Sequence, residues 1–501
     1  MEPIKKIVIV GGGSSGWIAA SILAFDFRQD ILEIELVESE DIGTIGVGES
    51  TVPPFVGLIQ NLGIDEQDFI KNVHATFKLG IEFPDWHDVG ESYFHPFGWI
   101  GSRVGVHDFY QIWLKAKSKG HPSDLMAFSP CAAMAKQKRF FLPQEAPPKT
   151  PLGSAGYALH IDANLVAKYL RGFCEERGVR RTEGRVTEVR QNEDGSISNL
   201  LLESGKQIDG DFFIDCTGFY SLLIEKTLGV GYEDWLKYLP CDRAVAVQTE
   251  NLGEPNPYTV STARENGWTW RIPLQHRTGN GYVYSSEHLS DDEATAKLLS
   301  YVDGKTIIEP NIIPFRAGAR ESFWHKNCLS VGLSSGFVEP LEATALHVVV
   351  RSMQHFLRLY PDQSCEPVLV DEYNRLMRGE YEMVRDFVVA HYALTNREDT
   401  EFWKYCKNMD IPDSLAERIE LFKAHGSLRQ GIEELWQAAS WQSVLEGMGV
   451  RPRNYCPKVD NLDYERVQDM LREVEATISN MVDQLPTHDQ FLRERFGAIQ
   501  L

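Results

Sequence analysis

Apolar positions along the chain change their period several times, and each period predicts a different kind of element. The run "KIVIV" at residues 6–10 is apolar almost throughout and has the length of a buried strand. It is followed by a glycine turn, a helical pattern from about Ser15 to Phe27 and a second strand in "LEIELVESE". A strand, a helix and a strand in succession predict a βαβ unit, and therefore a parallel sheet.

Helical periodicity returns twice further along the chain. "IDANLVAKYLRGFCEERGV" predicts an amphipathic helix with Asp162 near its cap, followed by short strands in "RRTEGRVTEVR", "ISNLLLE" and "DFFIDCTGF". Residues 80–155 are rich in aromatic residues, glycine and proline, which predicts loops and short covering elements. Residues 243–315 are predicted to be rich in strands, and the pattern is helical from about Leu341 onwards.

One predicted strand carries two tryptophans. In "GWTWRIPL", residues 267–274, a period of two sends Trp268, Trp270 and Ile272 to one face and the intervening residues to the other. Pro273 removes a donor from the ladder, so it marks either the end of the strand or an edge of the sheet. The pattern predicts a buried aromatic wall without saying what the wall surrounds.

The glycine turn after the first strand satisfies a dinucleotide-binding pattern. In "GGGSSG", Gly11 permits a tight turn, Gly13 lets the backbone approach a pyrophosphate, and Gly16 lets the helix pack closely on the sheet. The helix that begins here presents unpaired N–H groups to the phosphates. Glu38 ends the second strand about 20 residues later, where a carboxylate accepts ribose hydroxyls.

Two later segments favour FAD over NAD as the dinucleotide. "DFFIDCTGF" is an apolar strand that ends in a polar turn, and "CLSVGLSSGFVEPLEATALH" is a strand, a turn of small residues and a helix start. Three separated contacts suit the longer cofactor, and no second G-x-G-x-x-G provides a site for NAD(P)H. The sequence therefore predicts an α/β fold, with a Rossmann-type, two-dinucleotide-binding core that is similar to aromatic hydroxylases.

The predicted parts are interleaved in one compact unit. Residues 1–80 form the first segment of the FAD-binding part, and residues 156–345 form the second, which contains the tryptophan strand. Residues 81–155 form a loop-rich cover over the substrate, and residues 346–501 form a mostly helical substrate-binding part. No repeat and no low-complexity linker separates these parts.

Composition and charge narrow the classes of function. The chain has 501 residues and a formal charge of −22, which argues against binding to nucleic acid or to an anionic membrane. We expect no signal peptide, because the first residues run directly into a predicted strand, and no apolar run reaches the length of about 18 residues that would span a membrane. The 8 cysteines are scattered without a C-x-x-C pair, so we expect reduced thiols, a cytoplasmic protein and no metal site.

Several motifs in one order resemble flavin-dependent halogenases of the tryptophan and indole halogenase type. They are "GVGEST", "ATFKLGI", "HIDANLVAKYL", "FIDCTGF", "GWTWRIP" and "GLSSGFVEPLEAT", and the resemblance covers residues 4–350 well and the helical tail loosely. It implies that reduced FAD reacts with O2 and that the resulting hydroperoxide oxidises chloride or bromide to hypohalous acid. The acid then travels through an internal tunnel to an aromatic substrate.

The resemblance also assigns residues to these steps. Lys78 directs the halogen, Glu342 assists as an acid or base, and the backbone amides of Thr344 and Ala345 bind the halide. Family members usually have Ser and Gly where this chain has Ala343 and Ala345, and alanine needs a negative φ. The expected cofactor-binding residues are Gly11, Gly13, Ser14, Ser15, Gly16, Glu38, Glu49, Ser50, Val186, Gly218 and Leu333.

Lys78 lies between Phe77 and Leu79 on an apolar segment, and a lysine buried there tends to lose its proton and become nucleophilic. Without the resemblance, an equally good interpretation is a lysine that reaches solvent beside Glu82, four residues on. Glu342 also has a structural alternative, in which its carboxylate stabilises the start of a helix.

The substrate side is predicted from aromatic residues. His95 and Phe97 in "YFHPFGW" would stack on a flat substrate, although an aromatic loop that fills the core is the alternative. Trp436 and Trp441 would either close the pocket or belong to a helix core. The residues that hold the amino-acid part of tryptophan in the family do not align here. We therefore expect indole, a substituted indole or a larger aromatic compound at least as readily as free tryptophan.

Trp268 and Trp270 are expected to form a barrier that keeps the organic substrate away from flavin. Reduced flavin would come from a separate NAD(P)H-dependent reductase, and the oligomeric state is left open, a homodimer included. Two rival functions remain at this point. One is a flavin-dependent aromatic hydroxylase, and the other is a flavin-binding or redox-sensing protein without enzymatic activity.

Overall fold

The computed structural model describes residues 2–42, 49–429, 431 and 434–497. The first three residues of the "GVGEST" motif, 46–48, lie outside these ranges. The strands, in chain order, are β1 (Lys6–Val10), β2 (Glu33–Glu38), β3 (Glu49–Ser50), β4 (Thr76–Lys78), β5 (Gly80–Pro84), β6 (Ser92–Pro96), β7 (Ala158–Ile161), β8 (Arg180–Glu183), β9 (Val186–Gln191), β10 (Ile197–Leu202), β11 (Gln207–Asp209), β12 (Phe212–Asp215), β13 (Tyr232–Asp234), β14 (Arg243–Thr249), β15 (Thr259–Arg264), β16 (Gly267–Pro273), β17 (Thr278–Tyr284), β18 (Asn311–Pro314), β19 (Gly318–Arg320), β20 (Trp324–His325), β21 (Cys328–Ser330) and β22 (Gly336–Phe337).

The helices are concentrated at the start of the chain and in its last third. In chain order they are α1 (Ser14–Asp26), α2 (Pro53–Asn61), α3 (Glu66–Asn72), α4 (Phe109–Ser118), α5 (Pro130–Lys136), α6 (Ala163–Glu176), α7 (Asp291–Tyr301), α8 (Ala345–Arg358), α9 (Pro367–Ala393), α10 (Glu401–Asn408), α11 (Asp413–His425), α12 (Ala438–Gly447), α13 (Tyr464–Val482) and α14 (His488–Phe496). No helix among the described residues is long and apolar enough to cross a membrane.

The first of two compact units comprises Met1–His74, Ile161–Asp242 and Pro314–Arg385. Its main sheet has the strand order β20-β21-β12-β1-β2-β8, and β1 pairs in parallel with both β2 and β12. Strand β1 is central and buried on both faces, which explains its unbroken apolar run. The predicted βαβ opening and parallel sheet are confirmed.

Helix α1 packs against α6 and α8 in this unit. Because its flanks are covered, α1 is buried along nearly its whole length rather than on one face. Asp162 caps α6 as the sequence predicts, with its carboxylate accepting from the backbone N–H groups of Asn164 (3.0 Å) and Leu165 (3.3 Å). The predicted α/β class, with a Rossmann-type core and a helical portion, is confirmed by the structure.

The second unit comprises Ala75–His160, Arg243–Ile313 and Asp386–Leu501. Its sheet has the order β18-β14-β17-β16-β15-β5-β6, and the tryptophan strand β16 lies between β15 and β17. Pro273 therefore ends a central strand, and the alternative that it marks a sheet edge is wrong. Strand β17 pairs with β16 up to this residue, while the pairing with β15 stops at Arg271, so the missing N–H falls where the ladder ends.

Candidate functional site

The glycine turn of the first unit has the geometry that a dinucleotide requires. Gly11 has a φ of +114°, and a Cβ placed on it would lie 2.2 Å from the carbonyl oxygen of Cys216. A Cβ on Gly16 would lie 1.9 Å from the Gly11 oxygen, so the turn and the helix are in close contact. Gly13 caps α1 without any side-chain hydrogen bond, which leaves the first backbone amides for an anion. A diphosphate fits this turn.

Glu38 ends β2, as predicted, and lies against the glycine turn. A Cβ on Gly12 would overlap its carboxylate. The same carboxylate is paired with the guanidinium of Arg181 and lies 3.9 Å from that of Arg171. Val186, at the start of β9, packs on the apolar cluster that contains the end of β1. Arg181 was not predicted, because an arginine on a short strand carries no signal of its partner.

A buried carboxylate joins the other two predicted cofactor segments. Asp215, at the end of β12, accepts from the backbone N–H groups of Leu223 (2.7 Å) and Ile224 (2.9 Å). The Ser334 hydroxyl lies 3.1 Å from both Asp215 and the Gly218 carbonyl oxygen. The turn of Gly218 and the turn that contains Leu333 are thus held together. Asp215 was missed as a site residue, although the "DCTG" end of the strand was a usable signal.

The expected halide turn precedes α8. Glu342 is buried, and Thr344 is the N-cap residue of α8, with Ala345 as its first helical residue. Ala345 thus has helical backbone, and the Gly-to-Ala departure places no strain there. The strain lies at Ala343, whose φ is +58°. No side-chain hydrogen bond caps the start of α8, so the geometry of its first backbone amides suits an anion.

Glu49 and Ser50 form the short strand β3. The Oε2 atom of Glu49 is buried and has no hydrogen-bond partner among the described residues. Burial, and secondarily the charge of Asp162, raise the pKa of Glu49 to about 7. A pKa of about 7 leaves this carboxyl about half protonated near neutral pH.

In the second unit, Lys78 ends β4 and is fully buried, with 0% of its surface exposed. It does not reach solvent beside Glu82, because the two residues lie on strands β4 and β5 rather than on one helix. That alternative is wrong. The Nζ atom of Lys78 lies 5.0 Å from the centre of the Phe97 ring, within range of a cation–π contact.

Two buried histidines hold the strand that carries Lys78. His160 lies 2.9 Å from the hydroxyl of Thr76 and 2.9 Å from that of Thr259. Thr76 donates its own proton to the carbonyl of Pro273 (2.6 Å), so the Nδ1 of His160 is the donor to Thr76. The last proline of the tryptophan strand is thereby tied to the lysine strand. Burial, and then the charge of Lys78, keep the pKa of His160 well below its usual value.

His488, the second histidine, binds the backbone of Phe77, the residue before Lys78. Its Nδ1 lies 2.9 Å from the carbonyl of Pro255, and its Nε2 accepts from the backbone N–H of Phe77 at 3.2 Å. Burial lowers the pKa of His488 to about 4, so the ring stays neutral and can accept. This contact joins residues 411 positions apart, and no pattern in the sequence predicts it.

The four predicted substrate residues belong to one aromatic array. The ring of His95 lies 6.2 Å from that of Phe97 and 5.5 Å from that of Phe387. Phe387 stacks on Trp436 at 4.0 Å and meets Trp441 edge to face at 4.7 Å. Both tryptophans are buried. Phe387 on α9 was not predicted, since one apolar residue in a helical pattern does not reveal which rings it joins.

The tryptophan strand contributes a second aromatic group. Trp268 and Trp270 are buried, with ring centres 6.1 Å apart, and Trp268 also contacts Trp86 at 6.4 Å. The ring of Trp270 lies over Gly281 on β17, where a Cβ would come within 2.1 Å of it. The predicted aromatic wall is thus present, while its function as a barrier stays a prediction.

Comparison with known proteins gives a consistent result. The family model for tryptophan halogenase matches residues 6–464. Tryptophan 7-halogenase from Lentzea aerocolonigenes is 32% identical over 537 residues, with 99% of each chain covered. A solved flavin-dependent halogenase from Xanthomonas campestris is 41% identical with a TM-score of 0.95, and all of both chains is covered. One from Brevundimonas sp. BAL3 is 41% identical with a TM-score of 0.94, covering 98% of this chain and 99% of that one.

Proposed function

The chain belongs to the tryptophan halogenase family, enzymes that halogenate aromatic substrates with FADH2 and O2, and we propose that its substrate is an indole-type compound without an amino-acid group. We further propose that Lys78 directs the halogen and Glu342 assists as acid or base. The observation that carries the proposal is Lys78 itself. Lys78 is fully buried, lies beside an aromatic ring and ends a strand that two neutral histidines hold, which places its amine against the surface on which a flat substrate would stack.

FAD fits the first unit through backbone groups. The amides at the start of α1 would hold the diphosphate, Glu38 the ribose, and the turns of Gly218 and Leu333 the flavin end. When bound in its reduced form, FAD would supply two electrons to O2, and the oxidising capacity that remains would take two electrons from chloride or bromide to give an electrophilic halogen species and water. The first amides of α8, at Thr344 and Ala345, are the proposed halide site.

The amine of Lys78 is proposed to bind the electrophilic halogen and to present it to the ring of the substrate. An unprotonated amine can accept a hydrogen bond from hypohalous acid or form a bond with the halogen. The arene gains the halogen and loses a proton, for which the carboxylate of Glu342 is the proposed acceptor. His160 stays neutral, because burial keeps its pKa well below its usual value, so it adds no positive charge beside the amine of Lys78.

The aromatic array supports a flat substrate. Phe97 lies within cation–π range of Lys78, and His95 continues the array towards Phe387. Among the described residues near Trp441, Arg418 lies 4.5 Å from the Trp441 ring and 3.3 Å from the carboxylate of Glu434, so these two charges are already paired. A zwitterionic amino acid would need such groups for itself. We therefore propose indole or a substituted indole, with reduced FAD delivered by a separate NAD(P)H-dependent reductase in the cytoplasm.

The test compares two buried lysines of the second unit. Lys115 is 3% exposed, but its ammonium donates to the carbonyl oxygens of Val459 (2.9 Å) and Leu462 (3.3 Å), so its function is structural. Wild type, Lys78→Met and Lys115→Met are supplied with FAD, a flavin reductase, NADH, bromide or chloride, and a panel of indoles. Mass spectrometry then detects the halogen isotope pattern in the product.

We expect halogenated indole from the wild type and from Lys115→Met, once the latter is tested below its unfolding temperature. Lys78→Met should lose at least about 100-fold in product while it still binds FAD and consumes reduced flavin. A hydroxylated product from the wild type would favour the aromatic hydroxylase instead. Halogenation that is unaffected by Lys78→Met would overturn the mechanism.

A further inference from the structure

Glu49 presents a buried carboxyl oxygen for which no hydrogen-bond partner is found among the described residues. The residue as a whole is partly exposed, but its Oε2 atom is buried and has no hydrogen-bond partner among residues 2–42, 49–429, 431 and 434–497. A buried polar atom without a partner costs about 1–3 kcal/mol. An oxygen placed in this way is suited to a bound ligand.

The neighbouring carboxylate determines the charge of Glu49. Asp162 caps α6 and accepts from two backbone N–H groups, and the positive end of the helix also favours its ionised form. Its negative charge opposes ionisation of Glu49, and among the described residues no cation pairs with Glu49 to offset this. Burial and the charge of Asp162 together favour the protonated form of Glu49.

The pair lies next to the dinucleotide turn. Ser14, the first residue of α1, has its hydroxyl 3.5 Å from the carbonyl oxygen of Ala163, the residue that follows Asp162. A diphosphate at this turn brings further negative charge to the same region. An ionised Glu49 would then face two anionic groups, whereas a neutral carboxyl has an O–H to donate.

We propose that Glu49 binds FAD as a neutral carboxylic acid that donates a hydrogen bond to an oxygen of the diphosphate–ribityl part. The proposal rests on the proposed function, since it takes the bound dinucleotide to be FAD. One proton is held at Glu49 in the complex. Above the pH at which free Glu49 ionises, binding must take this proton up, and FAD affinity falls as the pH rises.

The experiment measures the Kd of FAD by flavin fluorescence from pH 6 to pH 9, for wild type, Glu49→Gln and Glu40→Gln. Glu40 is the matched control, because it loses the same charge but pairs with Arg181 at the surface. We expect wild type and Glu40→Gln to lose about tenfold in affinity per pH unit above pH 7. Glu49→Gln, which keeps a donor and cannot ionise, should show a flat profile near the wild-type affinity at pH 6.

Calorimetry in buffers of different ionisation enthalpy gives a second readout. At pH 8 we expect about one proton taken up per FAD by the wild type and none by Glu49→Gln. If Glu49→Gln does not fold, Asp162→Asn replaces it. Asparagine still caps α6, but the loss of the negative charge should move the pH dependence of FAD binding to lower pH.

A wild-type affinity that does not change with pH would overturn the proposal, as would a Glu49→Gln variant with the wild-type slope or an Asp162→Asn variant with an unshifted profile. These results leave halogenation intact if the protein still binds FAD. A protein that binds no FAD at any pH would overturn the proposed function together with this inference. The two failures are therefore distinguishable.

Discussion

The two compact units hold their predicted functional residues by different means. In the first unit the site is built from backbone: a turn with φ of +114° at Gly11, uncapped amides at α1 and α8, and turns joined through Asp215. In the second unit the site is built from side chains on separate segments, with Lys78, His95 and Phe387 as examples. A backbone site can be specified by a short motif, whereas a side-chain site depends on long-range packing.

The largest expected effect comes from removing the aromatic wall of the second unit. Trp268→Ala combined with Trp270→Ala should cost about 3–5 kcal/mol of unfolding free energy for each ring, because both are buried and in contact. If the rings also form a barrier, the stable single variants should give oxygenated by-products. Urea unfolding and product mass spectrometry check this. Unchanged stability and unchanged products would contradict both functions of the wall.

Gly11→Val should break the backbone site while it leaves the second unit's array unchanged. Valine is strained at a φ of +114°, and its Cβ would overlap the Cys216 carbonyl. We expect FAD affinity to fall by about 1,000-fold, which is about 4 kcal/mol. Gly57→Ala is the control, since Gly57 lies in α2 with open space around it. A Kd equal to that of the wild type would show that the turn does not hold the dinucleotide.

Lowering the pH should reduce the unfolding free energy through His488, which supports the strand of the side-chain site. Its pKa is lowered to about 4 in the fold, while the unfolded chain has the ordinary value near 6.5. Between these values the unfolded state binds a proton that the folded state does not, so stability falls as the pH decreases from 6.5 to 4. The loss is at most about 3 kcal/mol. His488→Gln should remove the contribution of this ring and make the slope in urea unfolding shallower, although His160 still contributes, and a slope identical to the wild type would exclude His488 as a source.

The smallest expected effects are changes in stability at Ala343, in the turn before α8, and at Ala345, the first residue of α8. Ala343→Gly relieves a positive φ and should stabilise the protein by up to about 1 kcal/mol. Ala345→Gly puts glycine into the first turn of a helix and should destabilise it by about 0.5–1 kcal/mol. Thermal unfolding of both variants is the measurement. If Ala345→Gly were the stabilising change, the strain would lie at the other position.

The same contrast explains what could be predicted from the sequence. The βαβ opening, the cap at Asp162 and the tryptophan strand follow from local periods and turn residues, so their elements were predicted and confirmed. The burial of Lys78 followed from its apolar neighbours together with the family motif. His488 and Phe387 were not predicted, because the pattern of a helix does not specify which distant strand or ring it contacts.

The charged partners of the predicted site residues were not predicted either. The sequence placed Glu38 at the end of a strand but gave no sign of Arg181, which lies on another strand of the same sheet. Glu49 was predicted only as one cofactor contact among several, and the effect of the charge of Asp162 on it was not predicted. Both partners are neighbours only after the parallel sheet and the capped helix have formed.

The position of the Trp270 ring over Gly281 has an evolutionary consequence. A side chain at 281 would overlap the indole, so residues 270 and 281 must change together. Homologues with alanine or a larger residue at 281 should carry a smaller ring or none at 270, and those with tryptophan at 270 should keep glycine. The second tryptophan of the strand thus forms a co-varying pair across two adjacent strands, and directed evolution of this site should mutate both codons at once.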